Sequence, residues 1–180
     1  MGDILSELEM YLLDTPEEKK LSDWESLRRY TSPENITPPT TLMVGRFQPF
    51  TLTDLENLKA IREVTGTPSA LMYIRSHQWY ANTPFKSATV REMLDRVKET
   101  YPDLVSSVIC SEKWDPSEVA DLLSKNGMRA DRVVESDHNS LKAAITRLAL
   151  TMGSENEFKR CTPECIHDMY GILREEIKGK

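Results

Sequence analysis

The sequence has few cysteines and no long apolar run. Only three of the 180 residues are cysteine, and an odd number fits a reducing compartment better than a disulfide framework. No stretch approaches the roughly 20 apolar residues that span a bilayer, and the N-terminus lacks the apolar region of a signal peptide. We therefore expect no membrane association and a cytoplasmic location.

The chain also lacks a basic excess. It has 23 Lys and Arg residues against 29 Asp and Glu residues, a formal net charge of −6. Nucleic-acid binders usually carry a basic surplus, so we expect no nucleic-acid partner, although a local basic pocket remains compatible with this charge. Apolar residues at 39% and charged residues at 29% are typical of a globular protein, and the length fits one domain plus an appendage.

One group of residues has the composition of a metal site. Cys161, Cys165 and His167 lie close together in the sequence. They supply only three ligands, and no second cluster offers the fourth ligand that a structural zinc site needs. We therefore predict no metal site.

Residues 1–36 are predicted to form a helical N-terminal extension that runs into a linker. After a second short helix from Asp23 to Tyr30, the stretch from Thr31 to Thr40 is rich in Pro, Ser and Thr. The extension has apolar residues at helical spacing, and these either dock on another protein chain or pack on their own domain. The residues at helical spacing are Ile4, Leu5, Leu8, Tyr11 and Leu12, and the candidates for docking are Leu5, Leu8, Tyr11, Leu12 and Trp24. A protein partner bound through these helices is our prediction, with packing on the same domain as the alternative.

From residue 37 to residue 180 the pattern alternates between strand and helix. The predicted strands are Thr41–Gly45, Ala70–Ile74, Val105–Cys110 and Arg132–Val134. Five helices are predicted between and after these strands. The first begins near Thr53, the second carries Val90, Met93, Leu94 and Val97, and the third runs from Pro116 to Lys125. The fourth carries Leu141, Ala144, Ile145 and Leu148, and the fifth begins near Pro163. This alternation predicts a Rossmann-like, doubly wound α/β domain with a parallel sheet. Ligands of such folds bind at the carboxyl ends of the strands.

The most informative motif spans residues 44–54 and reads V-G-R-F-Q-P-F-T-L-T-D. It has the form of a strand end, a tight loop and a helix start. Gly45 lets the backbone approach a phosphate closely, and the start of the helix offers unpaired N–H groups. Arg46 adds a charged donor. The motif therefore predicts an anion-binding loop.

This motif resembles the first motif of the H-x-G-H nucleotidyltransferases, a cytidylyltransferase-like superfamily. It is nearest to nicotinamide mononucleotide (NMN) adenylyltransferases, which begin G-R-F-Q-P-F. The resemblance covers residues 41 to about 178 and implies the nucleotidyltransferase fold. In the family, two histidines bind the triphosphate and stabilise charge on the transferred phosphoryl group. Their positions hold Thr51 and Asp54 here, the family's glycine is Thr53, and some phage-encoded relatives also have threonine at the first position.

The resemblance implies the candidate site residues. The implied catalytic positions are Arg46, Thr51 and Asp54, and the same loop contributes Gly45, Phe47 and Gln48 to nucleotide binding. Three later loops resemble the family stretches that shape the mononucleotide pocket, the ATP ribose site and the triphosphate clamp. They contribute Ser76, Gln78, Trp79, Asn82 and Arg91, then Ser136 and Asp137, then Thr162 and His167.

Each of these assignments has a structural alternative. The Trp79 ring either stacks on a base or covers the edge of the sheet. Asp54, Ser136 and Asp137 are also suitable for capping helices, and Thr162 followed by proline is an ordinary helix start. The favoured interpretation of Asp54 is that it satisfies the first-turn amides of its helix.

The pattern of changes bears on function. Family donors or glycines are lost at all four loops, and the carboxylates of Asp54, Glu135 and Glu164 appear at three of them. Negative charge at these loops is expected to oppose polyphosphate binding and catalysis. We therefore predict a catalytically inactive pseudoenzyme that serves as a binding or structural component, located in the virion if the chain is phage-encoded. Nucleotide remains a candidate ligand, and no cofactor is certain.

The alternative is an active NMN adenylyltransferase. Such an enzyme would join NMN and ATP with release of pyrophosphate, and Mg²⁺ would bridge the phosphates. Arg46, Gln48, Thr51 and the loop amides would then stabilise the transferred group.

Overall fold

The computed structural model describes residues 39–113 and 115–179. The predicted extension over residues 1–36 lies outside the described residues. The described part contains four strands, β1 Pro39–Gly45, β2 Ser69–Ile74, β3 Val105–Ser111 and β4 Arg129–Ser136. It also contains six α-helices: α1 Leu52–Thr65, α2 Ser87–Thr100, α3 Pro116–Lys125, α4 Leu141–Met152, α5 Glu155–Cys161 and α6 Tyr170–Ile177. A 3₁₀ helix spans Glu164–Met169 between α5 and α6.

The strands form one open sheet in the order β3-β2-β1-β4, and every neighbouring pair is parallel. The chain moves outward from β1 to β3 and then returns past β1 to β4. Because parallel crossovers are right-handed, this reversal sends the third connecting helix to the other face of the sheet. The switch point lies between β1 and β4, where this class of sheet binds its ligands.

Two hydrophobic cores cover the two faces of the sheet. Met43 and Leu71 pack on one face with Leu58 of α1 and Leu94 of α2. On the opposite face, Leu42, Val44 and Met72 pack against α3. The strands are buried on both faces, which explains their continuous apolar runs. The predicted Rossmann-like α/β architecture with a parallel sheet is therefore confirmed at this level.

Some predicted boundaries were wrong. β4 is longer than the predicted Arg132–Val134 segment, because backbone pairing with β1 extends it in both directions. Helix α5 was not predicted, and Phe158 is its one large apolar side chain facing the core. The last helix was expected from about Pro163, but the chain first forms the 3₁₀ helix.

Helix α4 presents its most apolar face outward. Leu141, Ile145, Leu148 and Met152 are exposed, whereas Ala143, Thr146, Arg147, Ala149 and Leu150 are buried. Apolar residues at this spacing normally mark the buried face of a helix. The smaller, partly polar face is therefore the one that packs on the domain.

Among residues 39–113 and 115–179, no helix has both the length and the apolar character needed to cross a membrane.

Candidate functional site

A cleft runs along the carboxyl edge of the sheet. One cavity of about 240 Å³ lies at the switch point and is lined by Gly45, Arg46, Glu112, Lys113, Ser136 and His138. A second cavity of about 620 Å³ shares Arg46, Glu112 and His138 and extends to Ser76, Gln78 and Asn82. These volumes are in the range of small-ligand sites. The cleft therefore lies where this class of fold binds ligands, and its size suits a small ligand.

The charged residues of the cleft include more cations than carboxylates. Arg46, Arg75 and Lys113 line it, together with Glu112 and Glu135. Glu112 is already paired, because its carboxylate lies 3.1 Å from the Arg75 guanidinium and 2.8 Å from His77 Nε2. The cleft is therefore suited to an anionic ligand, although Glu112 competes with that ligand for Arg75.

The loop after β1 has an unusual backbone and is anchored from below. Phe47 has φ 49°, in the left-handed region that non-glycine residues rarely adopt, while its ring is buried against Phe50. A strained backbone conformation of this kind persists only where the surrounding contacts hold it in place, and it is often found at functional sites. Gln48 is also buried, and its amide pairs with the backbone of Phe85 through bonds of 2.8 and 3.3 Å. Phe47 and Gln48 thus hold the loop in place from beneath the cleft.

Thr51 and Asp54, which align with the two histidines of the motif that this loop resembles, face inward. The Thr51 N–H donates to Asp54 Oδ2 at 2.9 Å, and the Ser136 hydroxyl donates to Asp54 Oδ1 at 2.5 Å. Both residues are buried, with Asp54 only 7% exposed. The Asp54 carboxylate caps α1 and ties it to the end of β4. These contacts agree with the favoured interpretation of Asp54 as a residue that satisfies the first turn of its helix, and Asp54 lines neither cavity of the cleft.

Burial raises the pKa of Asp54 to about 6, against the lowering effect of the Ser136 and Thr51 hydrogen bonds. Between about pH 4 and pH 6, the unfolded chain releases this proton while the folded chain keeps it. The contribution of Asp54 to the free energy of unfolding therefore falls as pH rises through that window, by on the order of 3 kcal/mol.

Asp54→Asn is expected to remove this contribution to the pH dependence. The amide oxygen still accepts a hydrogen bond from the Thr51 N–H, and no proton is gained or lost. Urea unfolding should show that the free energy of unfolding of the variant, relative to that of the unmodified protein, rises by on the order of 3 kcal/mol between pH 4 and pH 7. Glu63→Gln, which removes an exposed carboxylate of α1, is the control. A stability difference between Asp54→Asn and the unmodified protein that does not change with pH would contradict the assignment.

Arg147 links two loops of the cleft. It is buried, and its guanidinium donates to the carbonyl oxygens of Gln48 and His138, both at 2.7 Å. A charged donor shared by two carbonyl oxygens makes a strong hydrogen-bonded link. Arg147 of α4 therefore positions the loops after β1 and β4 relative to each other. The sequence gives no local indication of this role, because Arg147 lies within an otherwise largely apolar helix.

His138 lies beside Arg46 in the cleft. Burial lowers the pKa of His138, and the positive charges of Arg46 and Arg147 lower it further, while Asp137 raises it. The imidazole is therefore neutral at pH 7 and offers a hydrogen bond without a charge. It supplies the only ring nitrogens among the described residues lining the cavity at the switch point.

The candidate residues of the second loop lie in different places. Ser76, Gln78 and Asn82 line the larger cavity of the cleft, and Asn82 Nδ2 also donates to Asn139 Oδ1 at 3.1 Å. Trp79 lines an adjoining cavity of about 450 Å³, which shares Ser76 and Gln78 with the larger cavity of the cleft, and its Nε1 donates to the Glu176 carbonyl at 3.1 Å. Arg91 lies on α2, where it pairs with Asp95.

The remaining candidates make local structural contacts. Asp137 accepts a hydrogen bond from the Asn139 N–H at 2.8 Å, within the turn after β4. Thr162 is buried and donates to the Phe158 carbonyl at 2.7 Å, while His167 Nε2 lies 2.9 Å from the Thr162 carbonyl oxygen. Glu164 is exposed and does not line either cavity of the cleft. Of the three new carboxylates, Glu135 is the one that lines the cleft.

The structure therefore brings Gly45, Arg46, Ser76, Gln78, Asn82 and Ser136 together at the cleft. Sequence reasoning missed Arg75, His77, Glu112 and Lys113, which follow β2 and β3. Their position directly after two predicted parallel strands could have identified them, because such residues lie at the ligand-binding edge of the sheet. In the described residues, no group of three or more His, Cys, Asp or Glu side chains is placed to hold a metal ion.

Comparison with protein-family models and with characterised proteins found no significant match to this chain.

Proposed function

We propose that this chain is a catalytically inactive protein of the nucleotidyltransferase fold whose cleft binds a phosphorylated nucleotide without transferring it. The G-R-F-Q-P-F motif at the end of β1 and the parallel sheet support the fold. The observation that carries the functional part is the inward orientation of Thr51 and Asp54. Their hydrogen bonds leave neither side chain as a donor toward a phosphoryl group.

The retained features support binding. Gly45 and Arg46 line the cavity at the switch point, and Arg75 and Lys113 add positive charge nearby. Charge-assisted hydrogen bonds from arginine are the common means of holding phosphates. Catalysis additionally requires preorganised donors aimed at the charge that develops during transfer. Among the described residues, the cleft has positive charges suited to binding, whereas neither Thr51 nor Asp54 offers a donor toward a transferred phosphoryl group.

Magnesium fits this interpretation as a companion of the nucleotide. Mg²⁺ remains largely on phosphate oxygens and water and takes only one or two protein carboxylates. Glu135, at the wall of the cleft, is a residue of the required type. The ion would neutralise part of the phosphate charge on binding.

The second candidate function is an active NMN adenylyltransferase. The observation that favours it is His138 beside Arg46, which places an imidazole at the cleft although neither family histidine is present. Its lowered pKa leaves it uncharged at pH 7, so it offers less electrostatic stabilisation than a protonated imidazole. Binding without transfer remains the better-supported function.

The test is a turnover assay with ATP, Mg²⁺ and NMN, monitored for dinucleotide and pyrophosphate. The unmodified protein is expected to give no product above a protein-free blank. The triple variant Thr51→His, Thr53→Gly, Asp54→His restores the family donors and is expected to bind ATP more tightly. The control Thr51→Ser, Asp54→Asn disturbs the same positions without adding an imidazole. Product formed by the unmodified protein would overturn the proposal and favour the second candidate.

A further inference from the structure

Helix α4 exposes a continuous apolar stripe. Leu141 is 76% exposed, Leu148 57% and Met152 73%, with Ile145 at 39% between them. These residues recur at spacings of three and four and so share one side of the helix. We call this surface the α4 stripe. A contiguous exposed apolar surface commonly marks a docking site, because solvated apolar area is unfavourable.

We infer that the α4 stripe is the docking surface for the N-terminal segment of the same chain, residues 1–14. That segment has its own stripe of apolar residues at helical spacing: Ile4, Leu5, Leu8, Tyr11 and Leu12. A helix this short is marginal in water unless its apolar face is packed. Docking would bury the two apolar stripes against each other.

The charges of the two surfaces are complementary. Residues 1–14 contain four acidic residues (Asp3, Glu7, Glu9 and Asp14) and no lysine or arginine. Helix α4 contains no acidic residue, and because its Arg147 is buried against the loops of the cleft, Lys142 is the cation that it offers to this surface. The acidic residues that follow it in α5 have their own partners, since Glu155 pairs with Lys159 and Glu157 with Arg160. The positive charge of α4 therefore favours an acidic segment, such as residues 1–14, over a basic one.

The connection is long enough for docking within one molecule. The 24 residues from 15 to 38 join the segment to Pro39 at the start of β1. Fully extended they reach at most about 80 Å. A domain of this size has a radius of gyration of about 14 Å, so every face lies within reach.

A tethered segment is favoured over a second copy of the chain. Four large side chains on a 12-residue helix fall far short of the roughly 800 Å² that each partner buries in a stable interface. A tethered segment needs less contact area, because its covalent connection to the domain holds it at an effective concentration of about a millimolar.

Amide hydrogen exchange on the full-length protein tests this inference. Backbone amides within residues 1–14 are expected to exchange roughly tenfold or more slowly than their intrinsic rates. The variant Leu148→Asp, Met152→Asp is expected to return those amides to intrinsic rates. Val64→Asp is the matched control, because Val64 is 63% exposed but lies on α1. It is expected to leave the protection unchanged.

Far-UV circular dichroism verifies that each variant is folded, and Leu141→Asp replaces the double variant if that one unfolds. Light scattering should report a monomer, with protection independent of protein concentration. Intrinsic exchange rates in the unmodified protein, or protection that survives the α4 substitutions, would overturn the inference. A dimer dissociated by Leu148→Asp, Met152→Asp would also overturn it and would identify a second copy as the occupant.

Discussion

Arg46→Glu is expected to weaken ATP binding by about 100-fold. Arg46 lines both cavities of the cleft and follows Gly45 at the switch point. The substitution removes a charge-assisted contact and adds repulsion against the phosphates, a combined loss of about 3 kcal/mol. Titration calorimetry at fixed salt concentration measures the change.

Lys98→Glu provides the matched control for that experiment. It makes the same change in net charge at an exposed position in the last turn of α2, away from the carboxyl edge of the sheet. A local role for Arg46 predicts little effect from the control. Equal weakening by both substitutions would show that the ligand responds only to overall charge, and would contradict the assignment of Arg46.

Gly45→Ala is expected to destabilise the fold by roughly 2–3 kcal/mol. A Cβ atom at Gly45 would lie 2.8 Å from Ser136 Cβ and 2.9 Å from the Ser136 carbonyl oxygen. These two residues are the last pair in the register of β1 and β4, so the strand ends would have to separate. The separation would also displace the Ser136 hydroxyl from Asp54.

Gly171→Ala is the natural comparison. A Cβ atom there meets nothing within 4 Å, and the residue lies within α6, where alanine is favoured over glycine by up to about 1 kcal/mol. Urea unfolding should therefore show a loss for Gly45→Ala and a small gain for Gly171→Ala. A Gly45→Ala protein as stable as the unmodified one would disprove the close approach of β1 and β4.

The fold was largely predictable because its signals are local. The apolar runs of β1 and β2 and the helical spacing of Val90, Met93 and Val97 are visible without knowledge of the tertiary structure. Helix α5 was missed because its sequence is mostly polar. The outward face of α4 was unexpected because periodicity identifies an apolar face without indicating what covers it.

The site was less predictable because its contacts are long-range. Gln48 bonds the backbone of Phe85, 37 residues away, and Arg147 reaches a carbonyl 99 residues away. Motif resemblance gave the positions of Thr51 and Asp54 but not their orientation. That orientation depends on Ser136, 82 residues from Asp54, which supplies the hydrogen bond that holds the carboxylate inward.

The most direct test of the central claim is a calorimetric titration of ATP and Mg²⁺ into the protein in the presence of NMN, with the final mixture analysed for dinucleotide. Binding without transfer predicts saturable heat and no dinucleotide. The absence of any saturable heat would contradict the binding part of the claim, and accumulation of dinucleotide would contradict the loss of catalysis.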